Sequence, residues 1–194
     1  MIVRVPGAVR RQLVHRRRTV HLPDGIDGFV TAAHTAPLDA ERELLGDRKL
    51  AQRASTWDET GLQAASHCGH RRLVGRLVQA GASLDVFAAC VLGDLALIRR
   101  TLPQVRPDVC GVHGLPLTHF AVMSREVGVL EFVLSAGVEV NPAGASLSPL
   151  HTAVAVGSEA MAELLIAAGA DPEFRDAFGR TAEDWAVQLG RQDL

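Results

Sequence analysis

An all-α solenoid of helix-turn-helix units is the fold predicted here, and three observations predict it. Short runs recur at one spacing: Pro116 to Pro149, Ser148 to Thr181 and Gly157 to Gly190 are each 33 residues apart, a period that suits a supersecondary unit and is too long for a heptad. Runs of this kind open with helix-start residues and close on glycine, as from Ser148-Pro149 to Gly157. Between these marks, apolar residues follow three- and four-residue spacing. Hydrophobic residues at 47% and charged residues at 22% exclude a chain disordered throughout. No apolar run approaches the roughly 18 residues that cross a bilayer.

Taken in order, residues 1–24 lack repeat features and carry Pro6, Pro23 and the run Arg16-Arg17-Arg18, which reads as a flexible basic arm. A degenerate unit follows at Phe29 to Leu45. Thr60-Gly61-Leu62-Gln63-Ala64-Ala65-Ser66 opens the next, with Gly69-His70 between its helices and Gly81-Ala82 after them. The unit at Val86 to Leu102 comes only 24 residues later, Gly69 to Gly93, so most of the preceding loop must be missing. Its successor has Leu115 where a capping Ser or Thr is expected. In the unit after that, Ser148 caps the first helix and Pro149 sits where its missing N–H costs nothing. Its second helix, Ser158 to Ala168, lines up Met161, Leu164, Leu165 and Ala168 on one face before Gly169 stops it. A last unit spans Thr181 to Gly190 and serves as a cap.

These segments resemble the ankyrin-repeat family. The resemblance rests on Ser148-Pro149-Leu150-His151 with Gly157, Leu164-Leu165 and Gly169-Ala170-Asp171, on the Thr60 to Ala82 segment, and on Asp176-Ala177-Phe178-Gly179-Arg180-Thr181. It implies five or six units over residues 25–194, joined by short β-hairpin-like loops. The short third unit, Thr56 to Thr60 and Gly114 to Leu117 are similar to small stand-alone bacterial members. That similarity implies a cytoplasmic protein that binds a protein partner and has no enzymatic activity.

Charge and cysteine content agree with this. Residues 1–22 hold six arginines and no acid, which leaves 14 basic residues against 22 acidic ones in the remainder. An acidic body does not suit nucleic acid or an anionic membrane, so the arginine arm is the one place for the alternative, a regulator that contacts nucleic acid. Three cysteines, Cys68, Cys90 and Cys110, are too few for a disulfide framework and point to a reducing compartment.

A solenoid presents a concave surface of first-helix faces and loop tips. The residues just before each first-helix terminator predict an apolar docking stripe of Val91, Leu92, Val122, Met123 and Val156. At the tips, Trp57, Asp58, His113, Asn141, Asp176, Phe178 and Arg180 are the candidate partner contacts. No catalytic residue, metal ligand or cofactor is assigned. His67, Cys68 and His70 lie close together and Cys110-x-x-His113 has ligand spacing, but each is half a site. A metal-dependent activity near Cys110 and His113 is the least favoured alternative. Phosphate-cradling loops, His-Glu-x-x-His and Gly-x-Ser-x-Gly are absent from the sequence.

Overall fold

The structure, a computed structural model, describes residues 25–191; the basic arm at 1–24 lies outside them. Eleven α-helices occur among the described residues. Ten form five successive pairs: α1 (Ile26–Thr35) with α2 (Pro37–Gly46), α3 (Gly61–His67) with α4 (Arg71–Gln79), α5 (Val86–Leu92) with α6 (Leu95–Thr101), α7 (Leu117–Met123) with α8 (Val127–Ser135), and α9 (Pro149–Val156) with α10 (Glu159–Ala167). The last, α11 (Ala182–Leu189), packs on α9. Among the described residues no helix is long and apolar enough to cross a membrane.

Local chemistry sets the helix ends. Ser148 Oγ accepts from Leu150 N at 3.2 Å and Ser158 Oγ from Met161 N at 3.3 Å. Thr60 with Gln63 and Thr181 with Asp184 form reciprocal capping boxes. At the other end Gly157 takes the left-handed conformation, φ 72°, which a side chain adopts only with strain. Pro116 and Glu126, ahead of α7 and α8, supply no side-chain cap.

First helices stack on first helices, α1 on α3, α3 on α5, α5 on α7, α7 on α9 and α9 on α11. Small residues allow this close approach. Ala32, Ala33, Ala64, Ala65, Ala88, Ala89, Ala121 and Ala153 are all fully buried. A Cβ at Gly61 would sit 2.5 Å from Phe29 Cε1, so only glycine lets α3 settle on that ring. One continuous apolar core results, from Phe29 through Leu73, Leu77, Ile98, Phe120 and Leu130 to Leu165.

The loops between pairs are unequal, and the inequality shapes the site. Residues 47–60, 102–116, 136–148 and 168–181 project as fingers, the first two pinched by single antiparallel bridges, Ala54 with Thr60 and Cys110 with Pro116. Between α4 and α5 only residues 80–85 intervene, so that unit has no finger. The finger before α3 therefore faces the one before α7. His119 Nε2 spans the same gap and donates to the His67 carbonyl at 2.9 Å.

Candidate functional site

Polar side chains staple one unit to the next. His151 is fully buried. Its Nε2 donates to the Arg180 carbonyl at 3.0 Å, which leaves Nδ1 to accept from the Ser148 hydroxyl at 3.1 Å. His119 is held the same way between the His67 carbonyl and Thr152 Oγ1, and burial pushes its pKa down to about 4 against the opposing backbone hydrogen bond. Asn141 donates to the Gly169 carbonyl at 2.7 Å and accepts from Asp171 N at 3.0 Å. The unit that carries the fullest set of these staples, residues 147–177, matches the family model of the ankyrin repeat. The chain is an ankyrin-repeat protein.

The relatives it matches are longer chains, each matched over a part of its length. The ARF GTPase-activating protein GIT2 of Mus musculus is 31% identical over 144 residues, 72% of this chain and 20% of that protein. The palmitoyltransferase AKR1 of Lachancea kluyveri is 31% identical over 97 residues, 47% of this chain and 13% of the other. The potassium channel AKT1 of Arabidopsis thaliana is 38% identical over 80 residues, 39% and 9% of the two chains. This chain thus spans a fifth or less of the length of these relatives. Ankyrin repeats in general mediate protein–protein interaction.

The expected apolar stripe needs correcting. Val91 and Val122 are fully buried in the core where α5 packs on α7, because a turn of about 100° per residue carries them inward and leaves Leu92 and Met123 at the edge. Leu92, Met123 and Val156 are half-buried and packed on the core. Met123 lies over Gly69, where a Cβ would come within 2.8 Å of its sulfur. Asn141 is exposed at its tip, but both ends of its amide are spent on the next finger.

The tips divide into anchors and free groups. Asp176 is an anchor, contrary to its expected place at the partner surface. It is buried, with Oδ1 accepting from Phe178 N and Arg180 N and Oδ2 from the Arg180 guanidinium and Trp185 Nε1. Phe178, by contrast, is 82% exposed, with the Arg180 guanidinium 4.9 Å from its ring centroid. Trp57 is 48% exposed and donates from Nε1 to Glu59 Oε2 at 3.0 Å. Asp58 is exposed in a left-handed turn, φ 63°.

Desolvation favours the protonated form of Asp176, but the hydrogen bonds from Arg180, Trp185 and the backbone outweigh it and hold the carboxyl well below its ordinary value of 3.8. A depressed carboxyl contributes stability that is complete above 3.8 and is lost as pH falls through the folded-state value. Asp176→Asn therefore lowers the urea midpoint at pH 6, and the gap from wild type narrows steadily as pH falls below 4. Parallel curves down to the lowest pH that the protein tolerates would show that the charge contributes nothing.

Where the two facing fingers meet, His34 from the end of α1, Glu59 and His113 from the fingers and His67 from the end of α3 converge. Glu59 Oε1 lies 3.3 Å from His34 Nε2, 3.4 Å from His67 Nδ1 and 3.5 Å from His113 Nε2. Burial, then the neighbouring histidines, push the His67 pKa down to about 3. Three imidazoles and a carboxylate could hold a metal ion, and all four donor atoms lie within 4.8 Å of one another. Sequence reasoning found two of these, His67 and His113, but paired them with Cys68 and Cys110, neither of which joins the cluster. It missed His34 and Glu59, which no short motif links. Desolvation first, and then a nearby carboxylate, push Cys68 up to about 11 and Cys90 up to about 12, so both stay thiols and lack the thiolate that a nucleophile needs.

Proposed function

We propose that this chain is a non-catalytic scaffold over residues 25–194, which holds a protein partner with its finger tips and the adjoining concave face. The observation that carries the reading is Phe178: a large aromatic ring almost wholly exposed, on a tip that Asp176 locks in place. Rigid aromatic side chains bind at low entropic cost, and aromatic and arginine side chains dominate interface energetics. Arg180 adds a cation stacked on the same ring. Trp57 and Asp58 offer a second contact on the first finger, His113 lies beside it, and Leu92, Met123 and Val156 supply the apolar floor between.

The test is a pull-down of lysate proteins by immobilised full chain against Phe178→Ala and Trp57→Ala variants of unchanged circular dichroism. Retention of a specific protein should fall about tenfold or more for each lost anchor, in line with hot-spot losses above 1.4 kcal/mol. The same proteins retained at the same level by both variants would overturn the assignment of the tips.

A further inference from the structure

The cluster at the facing fingers goes beyond partner binding. Glu59 is only 3% exposed, and its Oε1, which points at the three imidazoles, has no hydrogen-bond partner among the described residues. His67 Nδ1 is likewise buried without one. A buried carboxylate oxygen left unpaired is strongly destabilising, and here the contacts that surround it lie beyond good hydrogen-bond length. We propose that His34 Nε2, Glu59 Oε1, His67 Nδ1 and His113 Nε2 bind a divalent zinc-type ion that clamps α1, α3 and the two facing fingers together.

The distances favour an ion over a network of protons. Zinc–nitrogen and zinc–oxygen bonds of about 2.0–2.1 Å at tetrahedral angles place neighbouring donor atoms about 3.3–3.4 Å apart. The three separations from Glu59 Oε1, at 3.3, 3.4 and 3.5 Å, are of that size. The remaining edges are no longer than 4.8 Å, and His113, whose side chain is 55% exposed on the short turn Val112–Gly114, is the ligand free to close the two that it shares with His34 and His67. Imidazole with one carboxylate is a borderline donor set that suits zinc and not calcium or magnesium, which take oxygen.

Outer contacts prepare the donors. His34 Nδ1 donates to the Val30 carbonyl at 2.8 Å, which keeps the proton off Nε2 and turns that lone pair into the cluster. Trp57 Nε1 holds Glu59 Oε2, so Oε1 alone is presented. Ser55 Oγ accepts from Glu59 N at 3.1 Å and fixes the backbone behind it. Four protein donors complete a tetrahedron and leave no position for water, which makes the ion a structural clamp and not a hydrolytic centre.

Chelator-stripped full chain is titrated with Zn²⁺ against a chromophoric chelator, and separately with Co²⁺, whose visible absorption reports tetrahedral coordination. One ion per chain, tetrahedral cobalt bands and a thermal midpoint that rises with zinc are expected. His113→Ala removes a half-exposed ligand with little strain on the apo fold and should weaken zinc binding at least about tenfold. Glu59→Gln, compared at matched circular dichroism, should abolish the cobalt bands. Failure of the wild-type chain to take up either ion stoichiometrically overturns the proposal, as does zinc affinity unchanged in His113→Ala.

Discussion

Val122→Arg abolishes cooperative folding of the stack. Val122 is fully buried on α7, which packs between α5 and α9. An arginine there must place a guanidinium inside an apolar core, and losses of this kind exceed about 4 kcal/mol, close to the 5–15 kcal/mol that holds a whole domain together. Val156→Arg, at a half-buried position at the end of α9, should change stability by less than about 1 kcal/mol, because the long side chain can carry its charge out to water. Urea unfolding followed by circular dichroism separates the two. A Val122→Arg protein that unfolds within about 1 kcal/mol of wild type would mean that α7 does not face inward as described.

Phe120→Ala should cost about 3–5 kcal/mol, the range for a buried phenylalanine that leaves a cavity. Its ring is 1% exposed, 4.8 Å from the Phe87 ring and edge-on to His119 at 5.2 Å. Through it α7 docks on α5 across the unit that has no finger. The same ring explains Gly111, where a Cβ would come 2.9 Å from Phe120 Cζ. Gly111→Ala alone should therefore destabilise by about 1–3 kcal/mol through overpacking. In the Phe120→Ala background the closest clash is gone and only Phe87 Cε1, 3.3 Å from such a Cβ, still crowds it, so the same change should cost less. Additive losses in the double variant, measured by urea unfolding, would show that the ring and the glycine are not coupled.

Most of the repeat architecture is legible in the residues because it rests on local chemistry. Ser148, Ser158, Thr60 and Thr181 cap helices within three residues of themselves, and Gly157 needs only its own backbone freedom to end one. The missing finger before α5 also shows as a shortened spacing between Gly69 and Gly93. Side-chain direction at the helix ends is another matter. Val91 and Leu92, or Val122 and Met123, are chemically alike, and a turn of about 100° per residue decides which one enters the core. Asp176 looked like an exposed tip acid, yet it is the hub that ties Arg180, Phe178 and Trp185 together.

The helices, their ends, their pairing and the repeat are written locally in the amino-acid order, since each depends on residues close in the chain. What meets at the fingers follows from long-range packing. Positions 34, 59, 67 and 113 share no local pattern, and they converge because first helices stack through alanines while the short link at residues 80–85 leaves two fingers face to face. That convergence is a property of the summed packing of four units, from α1 to α7, and no single window of residues contains it.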